Sequence, residues 1–316
     1  MELSSLDPSA RQQLEAALRS GERVRLTLAD LPQDRHADEL LPLVDELVCS
    51  DRSLDHALRP HLPPPARPGR GHRVTAIIPT NRGTPLGLTA LRAQDCEVEV
   101  LVLTNGGATA DGDRVLEVPW AGHGPTRQEG VTQATGDYVL FTVDDALPRG
   151  LGVVSTLVEA LEAGGFDAVF GRQLPWPGAD PVTRDRLRTW TPPGHEPRRV
   201  DRHDHVFALA RRDLLLRDPL PEVPIAEDLH WGRTHRIGYV PGAPVVHSHR
   251  RSPGSLYRRT RDMHRQHKAL GEPARVPSLA ALVRALPGVV PPVLQAGPQE
   301  LPNQLAELLG QWRGGR

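Results

Sequence analysis

Between residues 74 and 170 the chain keeps switching between two periods, and that switching limits the folds open to it. Val74 to Ile78, Val98 to Leu103, Val115 to Val118, Tyr138 to Val143 and Ala168 to Phe170 are short apolar runs of strand type. Pro85 to Gln94, Pro125 to Ala134 and Leu151 to Ala163 lie between them at helical spacing. Repeated strand-helix-strand order predicts an α/β fold, a mostly parallel sheet flanked by helices. Its buried strands read as continuous apolar runs.

The run Tyr138 to Val143 ends in Asp144-Asp145 and then Pro148. Two acids beside an apolar core are costly unless paired. In open α/β sheets the carboxyl ends of the strands are where ligands bind. A divalent cation shared with phosphates resolves the charge, and a solvated Asp-Asp turn is the plainer reading. Glu227-Asp228 opens an amphipathic segment, Ala226 to His235, and His247-Ser248-His249 closes the run Val245-Val246. Two histidines at i and i+2 face one side of a strand. Arg127 follows Gly122-His123-Gly124-Pro125, where a helix amino terminus and a guanidinium suit a phosphate.

Outside this region the signals are coarser. Asp7-Pro8, then Leu14, Ala17, Leu18 and Gly21, read as a capped helix. Leu40, Leu41, Val44, Leu47 and Val48 repeat at helical spacing. A proline-rich stretch from His61 to Gly71 reads as a linker. The expected division is a helical extension over 1–65, the α/β domain over 72–270 and a helical tail over 271–316. Residues 176–202, rich in Pro, Arg and Asp, read as a long loop. In the tail, Leu279, Leu282, Val283 and Leu286 form one stripe, and Leu301, Leu305, Leu308, Leu309 and Trp312 another. Both are expected to dock on the domain, with peripheral membrane contact as the alternative.

Lys plus Arg number 38 and Asp plus Glu 39, a net charge of −1, which argues against nucleic acid as partner. The amino terminus lacks the apolar core of a signal peptide, and no run of about 18 apolar residues predicts a transmembrane segment. With only Cys49 and Cys96, a reducing, cytoplasmic setting is expected. No G-x-G-x-x-G follows the first strand, and no Walker A motif occurs.

In order along the chain, Val74-Thr75-Ala76-Ile77-Ile78-Pro79-Thr80, Gly124-Pro125-Thr126-Arg127, Phe141-Thr142-Val143-Asp144-Asp145, Ile225-Ala226-Glu227-Asp228 and Val245-Val246-His247-Ser248-His249 resemble the family-2 glycosyltransferases of GT-A (Rossmann-like) fold. The last segment, with Ser252 and Tyr257-Arg258-Arg259, is most similar to their bacterial rhamnosyltransferase-like branch. The resemblance spans roughly residues 72 to 270. It implies an inverting enzyme that moves a sugar from a nucleotide-diphosphate sugar donor to a hydroxyl acceptor (glycan, lipid-linked or small-molecule). Asp145, with His249 and His247, would hold Mg2+ or Mn2+. Pro79, Thr80, Asn105, Arg127, Asp144 and Trp231 would bind the donor. Asp228 would be the catalytic base, with Glu227 next in line. The pattern departs at Val143, Thr104 and Gln128, where the family carries an acid, an acid and an Asn. The alternative is a non-catalytic nucleotide-sugar or glycan binding module on the same fold. A sugar-nucleotide-forming nucleotidyltransferase would need a longer, lysine-bearing loop than Asn81-Arg82-Gly83-Thr84.

Overall fold

The computed structural model describes residues 1–30, 32, 37–50, 52–67, 71–249 and 251–315. It begins with β1 (Glu2–Leu3), α1 (Pro8–Ser20), β2 (Arg25–Leu28), α2 (Ala37–Leu40), β3 (Glu46–Cys49) and α3 (Arg52–Leu58). α1 is capped as its sequence predicts. The Asp7 carboxylate accepts from the Ala10 amide at 2.9 Å, and Gly21 closes the helix at φ 73°.

The amino-terminal extension is not purely helical, however. β1, β2 and β3 form a parallel three-stranded sheet. Helical spacing over 40–48 misleads because Pro42 interrupts it and Val44 is extended (φ −92°, ψ 138°), which turns the chain into β3. The apolar side of this unit packs in one cluster with Leu147, Leu174 and Val246 of the larger sheet and with Trp176 just beyond it. Arg149 donates to Leu43 O and Asp45, each at 2.8 Å, and the buried pair Arg184–Glu39 closes at 2.7 Å. The linker lies against the domain: the Gly152 amide donates to Pro64 O at 3.1 Å. Pro68, Gly69 and Arg70 of that linker lie outside the described residues.

Next come β4 (Arg73–Thr80), α4 (Leu88–Arg92), β5 (Glu97–Thr104), β6 (Arg114–Glu117), α5 (His123–Gln133), β7 (Tyr138–Thr142), β8 (Leu147–Pro148), α6 (Val153–Gly164) and β9 (Ala168–Leu174). They are followed by α7 (Pro181–Trp190), β10 (Arg198–Val200), β11 (Phe207–Arg211), α8 (Arg212–Arg217), α9 (Glu227–Gly232), β12 (Ile237–Val246) and α10 (Pro253–Ala269). The nine-stranded sheet runs β10-β12-β9-β11-β7-β4-β5-β6, with β8 paired to β12. β4, β5, β6, β7, β9 and β12 point one way; β8, β10 and β11 run against them.

Each central strand divides its side chains between two cores, as a period of two requires. Val74, Ala76 and Ile78 of β4 join α4 and α6 on one face, and Ile77 joins α5, α8 and α9 on the other. β5, β7 and β11 divide in the same way. The α/β fold expected from sequence is thus present, a mostly parallel sheet flanked by helices.

Residues 176–202 are not one loop, because they contain α7 and β10. Asp180 caps α7 by accepting from the Thr183 amide at 2.9 Å, and Pro181 occupies its first turn. The tail contains α11 (Leu279–Ala285), α12 (Val290–Ala296) and α13 (Leu301–Gly314). Leu305, Leu308 and Trp312 of the second stripe and Leu282 of the first dock inward with Val276 and Val289, whereas Leu301 and Leu309 of the second and Leu279, Val283 and Leu286 of the first are exposed. Leu279–Ala296 is 18 residues long with a mean hydropathy of 1.4, so one segment does reach the length and composition of a membrane span.

Candidate active site

The polar ends of β4, β5 and β7 open into one cleft of about 960 Å3. Pro79, Thr80, Asn105, Arg127, Asp144, Asp145, Glu227, Asp228, His247 and His249 all line it. Of the residues singled out from sequence, Trp231 alone is elsewhere. It is buried in the core behind the sheet, stacked on His235 at 3.5 Å, and its Nε1 donates to Asp218 O at 3.0 Å. The apolar face of α9 points inward, which rules out a sugar platform at Trp231. Two aromatics that do line the cleft, Trp120 and Trp190, sit in or beside segments without strong periodicity, which hides them in the sequence.

Asp145, His247 and His249 form the metal-competent cluster, their ligand atoms all within 4.8 Å of one another. His247 Nε2 is 3.6 Å from Asp145 Oδ1, His249 Nδ1 is 3.5 Å from Asp145 Oδ2, and the two Nε2 atoms are 2.9 Å apart. Ligands about 2.1 Å from a shared cation lie about 3.0–3.4 Å from each other, and the two imidazole–carboxylate separations, to His247 Nε2 and His249 Nδ1, lie close to that range.

Hydrogen bonding behind the cluster also fits. The Gln173 amide donates to Asp204 Oδ2 at 2.7 Å, which turns its Oε1 toward His247 Nδ1 at 3.0 Å. Nδ1 must therefore carry the proton, and Nε2 presents its lone pair to the site. Burial, reinforced by His249, brings the His247 imidazole down to about 3, so it is neutral, as a ligand must be. Burial would raise the Asp145 carboxyl, but His247, His249 and Arg82 outweigh it and keep it below the usual range.

Asp144 is committed elsewhere. Thr80 Oγ1 donates to it at 2.7 Å, Arg82 Nε donates at 3.0 Å, and a second Arg82 nitrogen grips its other oxygen. The same guanidinium reaches Asp145 Oδ2 at 3.1 Å. Val143 stands where the resemblance led one to expect an acid, and the two imidazoles come not from a strand face but from the segment just after β12. Thr104 is buried and donates weakly to Leu116 O at 3.4 Å, so it does not reach the cleft. Gln128 is structural: its Oε1 accepts from the Leu220 amide at 3.0 Å and its Nε2 donates to Leu215 O at 3.2 Å.

Across the cleft, α9 begins at Ala226, the one non-glycine residue with positive φ (66°) among the described residues. Such a backbone costs an L residue on the order of 1 kcal/mol and often marks a functional turn. Here it delivers two acids with opposite environments. Glu227 is buried and bonded to Arg127 at 2.8 Å, with His205 Nδ1 at 3.3 Å. Burial would raise its carboxyl, but Arg127, His205 and His123 together bring it down to about 2. Arg127 is therefore the partner of Glu227 rather than a guanidinium held ready for phosphate. Gly124 lets α5 come close to this wall, since a Cβ there would fall 2.2 Å from Pro221 O and 3.3 Å from the Glu227 Cβ.

Asp228 is half-buried, and burial together with the charge of Glu227 raises it to about 6. Its Oδ1 accepts from the Leu229 amide at 2.8 Å, and Oδ2 from the His205 amide at 3.3 Å. Adjacent acids pushed apart in this way divide the roles, one structural and one able to exchange a proton near neutrality.

Arg251 and Arg259 also line the cleft, and among the described residues neither has a carboxylate within ion-pair distance. Burial, with Arg259 nearby, lowers Arg251 to about 10, so its guanidinium still carries full positive charge at pH 7. Arg250, of the same basic run, lies outside the described residues.

No family model matches the chain, and no curated protein matches it. Solved structures do. Among its structural neighbours is a mannosyltransferase. This is the Pyrobaculum calidifontis enzyme solved with GDP-Man and Mn2+, 17% identical, covering 96% of this chain and 81% of that one at a TM-score of 0.45. TarS of S. aureus, residues 1–349 with UDP, is 18% identical, covering 61% and 64% at 0.42. M. tuberculosis glucosyl-3-phosphoglycerate synthase is 17% identical, covering 68% and 90% at 0.44. The match covers 39% of the longer TarS chain.

Proposed function

We propose that the protein is a divalent-metal-dependent glycosyltransferase that transfers a sugar from a nucleotide-diphosphate donor to a hydroxyl acceptor with inversion. The observation that carries this reading is one cleft holding an Asp-His-His cluster, two uncompensated arginines and, on the opposite wall, a carboxylate raised to about 6.

Asp145, His247 and His249 would hold the cation, and two imidazoles favour Mn2+ over Mg2+, which prefers all-oxygen sites. When bound, the cation supplies Lewis-acid charge to the leaving nucleoside diphosphate. Arg82, Arg251 and Arg259 add fixed positive charge around that diphosphate. Asp228 accepts the acceptor's hydroxyl proton as its oxygen forms the new bond to the anomeric carbon. The bond from that carbon to the diphosphate breaks, and the electron pair leaves with the nucleotide. A double displacement would need a second carboxylate available as nucleophile. Glu227 is locked by Arg127, which supports the single, inverting step. Trp120, half exposed at the rim, is placed to stack on the base or the sugar.

The test is a panel of UDP-, GDP- and dTDP-sugars, each with and without Mn2+, read by thermal shift and by donor hydrolysis. At least one donor should stabilise the protein only with Mn2+ and be slowly hydrolysed. Stabilisation with no turnover toward water or any acceptor would favour the binding-module alternative. No response to any donor would refute the proposal.

A further inference from the structure

α11, the short turn after it and α12 face two ways. Val289, with Leu282, Ala285 and Val293, packs inward against Leu308 and Trp312 of α13. The opposite side carries Leu279, Val283, Leu286, Val290 and Leu294, at steps of four, three, four and four residues. These five are 63%, 58%, 43%, 52% and 81% exposed. Arg284 is the one charged residue in the 18-residue segment. A contiguous apolar stripe of this kind on a protein surface marks a contact yet to be made.

Charge identifies the occupant. Residues 250–316 contain 11 Lys and Arg against 4 Asp and Glu, a net of +7. The other 249 residues contain 27 against 35, a net of −8. Arg265, Arg275, Arg284 and Arg313, all from this end of the chain, are exposed. A second copy seated on the stripe would bring +7 against +7. An anionic surface would attract this end and repel the remainder, which also fixes orientation. Because the segment already docks on α13 by one face, it lies on such a surface rather than crossing it.

We propose that the stripe Leu279–Leu294 docks the protein peripherally on an anionic lipid bilayer. This surface is also mechanically tied to the cleft. Gln295 bonds to Asp185 and Glu307 pairs with Arg186, both on α7, whose last residue, Trp190, lines the cleft. α10, which packs along α13, contributes Arg259 and Met263 to the same cleft. Docking therefore holds the cleft near the lipid headgroups. Docking uses this surface alone, whatever the chemistry of the cleft.

The experiment is flotation of the full chain with vesicles of phosphatidylcholine alone or of phosphatidylcholine with phosphatidylglycerol. It is repeated at low and high salt and with the variant L279D/V283D/L294D. Those three side chains are exposed, so circular dichroism of the variant should match the parent. The parent should float with the mixed vesicles at low salt. Binding should fall at least tenfold for the variant, in high salt, and with phosphatidylcholine alone. Absence of flotation, equal flotation of the variant, or equal binding to uncharged vesicles would overturn the proposal. So would a dimer of the parent in sedimentation that the variant dissolves without any vesicle binding, since the stripe would then belong to a second copy.

Discussion

Replacing Asp228 by Asn separates a base from a helix cap, because the two roles predict opposite changes in stability. A carboxylate that merely complements the dipole of α9 would stabilise by about 0.3–1 kcal/mol, and its loss would weaken the fold. The surroundings of Asp228 predict otherwise. Burial and Glu227 raise its carboxyl from 3.8 to about 6, so the ionised form is held at a cost. That gap corresponds to at most about 3 kcal/mol. Asn keeps an acceptor for the Leu229 amide but turns an N–H toward the His205 amide, which gives back about 1–2 kcal/mol. The variant should therefore equal the parent at pH 8 or exceed it by up to about 2 kcal/mol. The sign with pH follows from linkage. The cost is absent well below pH 4, where both folded and unfolded forms are protonated, grows between about pH 4 and 6, where only the unfolded form is ionised, and is complete above 6. The gain should thus vanish in acid. Urea unfolding at pH 4, 6 and 8 measures it. Turnover should fall roughly 10²-fold or more while donor affinity stays within about twofold, because the proton moves only in the transition state. A loss above about 1 kcal/mol at pH 8 with turnover reduced less than tenfold would refute the assignment, making Asp228 a cap.

Glu227→Gln should cost about 3–5 kcal/mol in chemical unfolding, since it strands the buried guanidinium of Arg127. Turnover of the parent should rise with pH through a midpoint near 6 as Asp228 loses its proton, and that limb should be missing from the residual activity of Asp228→Asn. Trp231→Ala should destabilise by about 3–5 kcal/mol and leave donor affinity of the folded fraction unchanged. Trp120→Ala should alter stability by less than about 0.5 kcal/mol but weaken donor or acceptor binding by about 0.5–1.5 kcal/mol in calorimetry.

The sheet was legible because β4, β5 and β7 are buried on both faces, so their sequences are continuous apolar runs. The polar residues that close those runs were legible for the same reason, and they do converge on one cleft. β11 and α8 were missed: Phe207–Arg211 is short, and antiparallel insertion between β7 and β9 leaves no mark in local sequence. α7 was hidden because its residues are mostly polar and charged, so composition reads as loop. Asp180-Pro181, a cap followed by a first-turn proline, was the signal that could have revealed it.

At the site, sequence order could place Glu227 and Asp228 together but could not divide them. The division depends on Arg127, 100 positions away, and on His205. The role of Gln173 behind His247 was equally invisible, since it arises from register between β9 and β12. Trp231 misled because helical spacing puts it near the acids without saying which side of α9 faces the core.

Asp145, His247 and His249 are proposed to hold a divalent cation on which binding of a nucleotide-sugar diphosphate depends. Isothermal calorimetry of UDP and GDP binding, with and without Mn2+, in the parent and in Asp145→Asn tests it most directly. One nucleotide should bind the parent at least tenfold more tightly with Mn2+, and Asp145→Asn should abolish that difference without unfolding. Equal affinity with and without Mn2+ in the parent, or an unchanged Mn2+ effect in Asp145→Asn, would refute the metal site.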